Sequence, residues 1–240
     1  MMLRAILLTL CLGAPADAQT ACRQALVLGL DVSGSVDQHE YRLQLDGLAG
    51  ALSSPAVREV LLAPSAAPVR LAVFEWSGPQ DQHLILPWTE MRDDTALTRV
   101  IVQLVSTTRS PAQPTTAIGP AILTGLALLD QQGNCWKRTL DISGDGKANT
   151  GTRPQDIPDS QIPSGVTING LVIGADDPST GNARLLQVGE LSAYYRSYVM
   201  RGADAFVEVA LGFEDYEAAM TRKLLRELAS LAIGALPAAP

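Results

Sequence analysis

Three oxygen-bearing side chains alternate along one short stretch, Asp31-Val-Ser33-Gly-Ser35. In an extended backbone every second side chain points the same way, so the carboxylate and the two hydroxyls would converge on one point. Such hard donors suit Mg²⁺ first, with Mn²⁺ or Ca²⁺ as alternatives; zinc would want the clustered His and Cys that this chain does not have. The same residue types also build an ordinary strand-to-helix turn with its N-cap, so the stretch alone leaves metal loop and turn both open. Two other loops strengthen the metal reading. Thr116 stands just before an apolar helical stripe, and Asp145 follows a strand-like run.

Rival chemistries fit less well. Asp141-Ile-Ser143-Gly-Asp145-Gly146 matches the first half of an EF-hand calcium loop, but its twelfth position is Thr152 rather than Glu and a strand precedes it. Gly144-Asp-Gly-Lys147 does not satisfy the phosphate-loop pattern, and a Pro-rich loop follows where a helix should. His39 and His83 are the only histidines, so a Ser/His/Asp or Cys/His mechanism must use one of them. His83 falls in a strand and reads as surface or half-buried, His39 in an exposed first helical turn, and no G-x-S-x-G elbow occurs. A metal-dependent hydrolase using the same Asp and Ser loops is the alternative function, with His39 or Lys147 as its only nearby base. Trp76, Trp88 and Trp136 read as core cover rather than a sugar-stacking surface. Tyr194, Tyr195 and Tyr198 read as packing, and Asp176-Asp177 as rim or plain loop.

These side chains need elements to carry them. Ala25 to Leu30 is an unbroken apolar run, which suits a central parallel strand covered on both faces. Ser35 with Gln38 resembles a capping box, and Tyr41, Leu45, Leu48 and Leu52 continue at helical spacing. Residues 55–68 form a Pro/Ala-rich connection before Val69 to Trp76 and Gln82 to Trp88, two strands in a hairpin around Ser77-Gly78-Pro79. Asp93 and Asp94 cap a stripe of Leu97, Val100, Ile101, Leu104 and Val105; Ile118, Ile122, Leu126 and Leu129 form another. The strand Thr139 to Ser143, a polar stretch to Gly165, the strand Val166 to Ile173 and a helix over Leu185 to Tyr195 follow. Tyr198 to Met200 and Ala205 to Val209 look strand-like, and Phe213, Tyr216, Met220, Leu224 and Leu228 form the last helical stripe. The alternation predicts an α/β, doubly wound, mostly parallel sheet with one antiparallel edge strand and helices on both faces.

Met1 to Ala18 has the layout of a secretory signal: Arg4, an apolar run too short to span a bilayer, and Ala16-Asp17-Ala18 as cleavage site. An N-terminal anchor, or a lipoprotein at Cys11, fits these residues less well. Periplasmic or secreted localisation is the expectation, with a domain over 21–233 and a flexible tail over 234–240. No later apolar run reaches membrane-spanning length. The net charge of -7 and the lack of a clustered basic face speak against nucleic acid as a partner. Signal removal leaves Cys22 and Cys135 where thiols tend to be oxidised. Each precedes a strand-like run, so neighbouring parallel strands would pair them; the alternative is two unrelated buried thiols.

Taken together, Asp31-x-Ser33-x-Ser35, Thr116-Ala-Ile-Gly-Pro-Ala121 and Ser143-Gly-Asp145-Gly146 resemble the von Willebrand factor A family, whose metal-ion-dependent adhesion site runs D-x-S-x-S, Thr, Asp. The resemblance covers roughly Ala21 to Ile233. The closing segment Arg201 to Tyr216 looks like that of an uncharacterised bacterial exported group, domain of unknown function 1194. One departure is Ser-Gly-Asp-Gly where the family has Thr-Asp-Gly, which leaves Asp141 as a second candidate carboxylate. The resemblance implies that Ser33 and Ser35 bind the metal directly, Thr116 directly or through water, and Asp31 and Asp145 mostly through water. It also implies a metal-dependent binding module and no catalysis, with a protein partner whose acidic side chain fills the remaining coordination position.

Overall fold

The computed structural model describes residues 22–63, 67–174 and 181–229. The expected signal segment, the tail from 234 and Asp176-Asp177 lie outside the described residues. The first strand, β1 (Cys22–Asp31), is buried along nearly its whole length, as a strand covered on both faces must be. It pairs in parallel with β2 (Val69–Trp76) and with β4 (Cys135–Gly144), and β2 carries the antiparallel β3 (Gln82–Met91) at the edge. On the other side β4 pairs with β5 (Val166–Ile173), and β5 with the short β6 (Val207–Ala210), again in parallel. The order β3-β2-β1-β4-β5-β6 reverses direction between β1 and β4. In an open α/β sheet that reversal opens a crevice beyond the carboxyl ends of the strands.

Even-numbered apolar residues of β1, Leu26, Leu28 and Leu30, face a core shared with α1 (Gln38–Ser53), α3 (Asp94–Ser106) and α6 (Tyr216–Ala229). The odd-numbered Ala25 and Val27 face a second core with α4 (Ile118–Asp130) and α5 (Gly181–Tyr194). Period-two alternation of one strand thus feeds both layers. Cys22 and Cys135 are register partners at the first positions of β1 and β4 and are joined by a disulfide, Cα to Cα 4.5 Å.

Several sequence expectations need correction. The α1 capping box is Asp37 with Glu40, not Ser35 with Gln38: Asp37 Oδ1 accepts from Glu40 N at 2.8 Å, and Glu40 Oε2 accepts from Asp37 N at 2.7 Å. Ser35 is thereby left free of capping. The connection after Pro55 contains a helix, α2 (Pro55–Leu61), with Ser54 as N-cap; proline at the first helical position starts helices. Tyr198 to Met200 is not a strand. Tyr195 to Val199 continue α5 as a π turn, closed by Met200 N donating to Tyr195 O at 2.9 Å. Aromatic and β-branched residues carry high strand propensity, but burial of Tyr195 and Val199 on one side decides the local form. Trp76 is buried and Trp88 packs on the core, but Trp136 is 67% exposed, so it covers no core. Among the described residues no helix is long and apolar enough to cross a membrane.

Candidate functional site

At the switch point β1 delivers Asp31, fully buried, while its chain is still held on both sides. Asp31 O accepts from Gln44 Nε2 of α1 at 3.0 Å, and Val32 N donates to Trp76 O at 2.9 Å. Asp31 Oδ1 accepts from Ser33 N at 2.8 Å, a local turn that folds the loop back over the carboxylate. The five residues singled out in the sequence then meet through their side chains. Thr116 Oγ1 donates to Ser33 Oγ at 3.4 Å, Ser33 Oγ lies 3.3 Å from Ser35 Oγ, and Ser35 Oγ donates to Asp145 Oδ1 at 2.7 Å. Ser33 and Thr116 are buried, Ser35 is exposed and Asp145 is half-buried.

Two residues that sequence reasoning passed over hold these loops. Asn149 Oδ1 accepts from Thr116 N at 2.8 Å while Asn149 N donates to Thr116 O at 2.9 Å, which clamps the Thr116 loop to the segment after Asp145. Arg109 Nη2 donates to Val32 O at 2.9 Å and to Ser33 O at 3.1 Å, fixing the first loop from outside. Its guanidinium sits 5.8 Å over the Tyr41 ring, and Tyr41 Oη donates to the buried Glu75 at 2.5 Å. Gly34 N donates to Pro114 O at 3.2 Å and Ala117 N to Ser77 O at 2.8 Å, so backbone also ties the loops together.

The electrostatics of the cluster fit a cation. Asp31 Oδ2 is buried with no hydrogen-bond partner. Burial, and then the neighbouring Asp145 carboxylate, push the Asp31 carboxyl up to about 8, and burial raises Asp145 as well. Among the described residues no ion pair reaches either carboxylate. A divalent ion would neutralise both, and two carboxylates with three hydroxyls form an oxygen set of the kind hard cations take. Gly144 gives this corner its space: a Cβ there would stand 2.9 Å from Asp31 Oδ2 and 2.6 Å from Tyr195 Oη. Tyr195, read as packing, is fully buried and carries its hydroxyl to the floor of the same corner.

Asp141 lies elsewhere. It faces α6 from inside β4, 3.0 Å from the ammonium of the fully buried Lys223, which also meets Glu227 at 2.8 Å. Asn169 Nδ2 of β5 donates to Glu227 Oε1 at 2.6 Å. Burial raises Asp141 to about 7 against the pull of Lys223; burial alone would lower Lys223, but the two carboxylates outweigh it and raise it. His39 and His83 are both exposed, and Lys147 stands 3.6 Å from Glu190 at the surface.

The architecture is that of von Willebrand factor A domains, as solved structures bear out. Over 88% of this chain it superposes on 48% of proximal thread matrix protein 1 from the mussel byssus with a zinc-occupied MIDAS motif, at 18% identity and TM-score 0.54. A von Willebrand factor type A protein from Catenulispora acidiphila matches over 88% of this chain and 43% of its own, at 15% identity and TM-score 0.55. The vWF domain of the type V pili tip protein Mfa5 from Porphyromonas gingivalis matches over 92% and 98%, at 12% identity and TM-score 0.54. The chain spans about half the length of the mussel protein it matches. Residues 21–232 match the model of the family described as protein of unknown function (DUF1194), and the chain belongs to that family. Among curated proteins none matches.

Proposed function

We propose that this chain is an exported binding module that holds a divalent cation, Mg²⁺ by preference, with Asp31, Ser33, Ser35, Thr116 and Asp145, and captures an acidic side chain of a protein partner. In this reading the signal segment ends at Ala18, residues 21–233 make the domain, and the protein works in the periplasm or outside the cell. The observation that carries the proposal is the convergence of two carboxylates and three hydroxyls, linked at 2.7–3.4 Å, around a buried carboxylate oxygen without a partner. When bound, the cation supplies an electron-poor centre that attracts an anionic ligand. The chain's own residues orient it: the Asn149 clamp and the Arg109 contacts hold the hydroxyls in register before any partner arrives.

The disulfide supports export, since such bonds persist in oxidising compartments. The Mfa5 domain belongs to a pilus tip protein, which supports an adhesive or assembly role. The mussel motif holds zinc, so oxygen donors alone do not exclude that ion, and the preference for Mg²⁺ rests on the hardness of the ligands. The test is Mn²⁺ titration by electron paramagnetic resonance, with Thr116→Ala and Asp145→Ala variants, followed by capture of exported proteins with Mg²⁺ or with chelator. Loss of Mn²⁺ binding in both variants and metal-dependent capture are expected. Unchanged Mn²⁺ binding in the variants would refute the site, and turnover of a phosphoester or peptide lost in Asp145→Ala would replace binding by hydrolysis.

A further inference from the structure

Tyr195 reaches the metal-loop cluster from the end of α5 through a slot cut in the sheet. A Cβ on Gly170 of β5 would stand 2.7 Å from Tyr195 Cδ1, and one on Gly144 of β4 would stand 2.6 Å from Tyr195 Oη. The ring therefore lies across two neighbouring strands, in space that a side chain at either position would take. Tyr195 opens the π turn Tyr195–Val199, which Met200 N closes by donating to Tyr195 O at 2.9 Å. Single π turns within helices recur at functional sites.

At the end of the slot the hydroxyl comes to Asp31. The same Cβ position on Gly144 lies 2.9 Å from Asp31 Oδ2 and 3.4 Å from Trp76 Cζ2, so phenol, carboxylate and indole close on one point. All three side chains are fully buried. Neither Tyr195 Oη nor Asp31 Oδ2 has a hydrogen-bond partner among the described residues. Burial first, then the Asp31 and Asp145 carboxylates, hold the phenol well above its ordinary value, so it stays a donor. A buried hydroxyl without an acceptor destabilises a fold, and phenylalanine would fill the slot without one. The hydroxyl is thus of no use to the fold by itself; it suits a state in which the Asp31 carboxylate takes a donor.

Resting on the metal-binding reading above, we infer that Tyr195 is a positioning residue for the cation: with the ion bound, Tyr195 Oη donates to Asp31 Oδ2 and fixes that carboxylate towards the ion, touching neither metal nor partner itself. Ser33 N already holds Oδ1 at 2.8 Å. A second donor on Oδ2 sets the plane of the carboxylate, as hydrogen bonds to metal-ligating carboxylates do. A turn of the carboxylate about its Cβ–Cγ bond brings Oδ2 to the hydroxyl, and Gly144, having no side chain, leaves the path between them open.

The experiment starts from Tyr195→Phe, which keeps the ring and removes the hydroxyl. Mn²⁺ titration by electron paramagnetic resonance should show about ten-fold weaker binding, the range for removing a group that orients a metal ligand. The melt of the variant in EDTA should stay at or above that of the wild type, since it loses an unpartnered hydroxyl and nothing else. A second measurement keeps the hydroxyl in place. With 3-fluorotyrosine at the five tyrosine positions, the fluorine resonance missing from Tyr195→Phe identifies Tyr195, and Mg²⁺ should shift that resonance as the bond to Asp31 forms. Equal Mn²⁺ affinity of variant and wild type, or a Tyr195 resonance indifferent to saturating Mg²⁺, would overturn the inference and leave the metal reading standing. A variant that melts lower in EDTA would make the hydroxyl part of the fold and overturn it as well. A wild type that binds no Mn²⁺ would overturn the metal reading itself, and this inference with it.

Discussion

Asp31→Asn removes one charge from the metal-loop cluster and almost no volume, so it separates the cost of the site from its use. Without a metal, Asp31 Oδ1 accepts from Ser33 N at 2.8 Å and the buried Oδ2 has no close partner. Burial and the Asp145 carboxylate move its carboxyl from 3.8 to about 8. A carboxyl whose pKa rises on folding favours the protonated folded state. Its contribution is therefore complete below about pH 4 and is lost progressively as pH rises through 8. At pH 7 the loss spans about three pH units, which at about 1.4 kcal/mol each bounds the cost near 4 kcal/mol; roughly 2–4 kcal/mol is the working range. Asn keeps the acceptor for Ser33 N and carries no charge. Melts in EDTA at pH 7 should put the variant about 5–15 °C above the wild type, and near pH 4 the two should coincide. Saturating Mg²⁺ should reverse the order, because an ion at a thousand times its dissociation constant adds about 4 kcal/mol to the wild type alone. A variant that melts lower than the wild type in EDTA at pH 7, or that gains as much from Mg²⁺, would refute the reasoning.

Other consequences are independent of that one. Replacing Cys22 and Cys135 by serine opens a cross-link between residues 113 apart in sequence and should cost about 2–4 kcal/mol in a denaturant titration, with Mn²⁺ affinity unchanged because the bridge sits at the opposite ends of β1 and β4. Asn149→Ala leaves the Thr116 amide without its partner and should weaken Mn²⁺ binding about ten-fold or more by resonance titration, the range for removing a group that orients a ligand. Lys223→Met strands two carboxylates in the core and should cost roughly 3–5 kcal/mol, part of which Asp141→Asn in the same chain recovers; a fully stable single variant would mean the network is solvated.

What the sequence made legible follows from range. Asp31, Ser33 and Ser35 lie within five residues, and Thr116 and Asp145 stand at element boundaries marked by apolar runs, so local pattern and order suffice to group them. The apolar runs of β1 and β5 were equally plain, because strands buried on both faces need no alternation. Asn149 and Arg109 gave no such signal. Each works through backbone atoms of a distant loop, and an Asn in a polar loop or a lone Arg before a proline reads as solvated. Asp141 looked like a spare ligand because its partner, Lys223, is 82 residues further along, where a lysine beside the Met220 and Leu224 stripe reads as surface. Lys223 and Glu227 one helical turn apart, spaced with Tyr216 and Met220, were the available hint.

The position of these clamps bears on how a partner would bind. Arg109, Asn149 and the Gly34 and Ala117 backbone contacts fix four loops, those at Val32, Ser77, Thr116 and Asn149, to one another without using the side chains of Ser33, Ser35 or Asp145 for that purpose. The side-chain oxygens of the cluster are consequently presented by a framework that backbone contacts hold in place. Under the proposed function, little conformational entropy remains to be lost when a cation and a carboxylate arrive, so selectivity must come from the surroundings of the metal rather than from loop ordering.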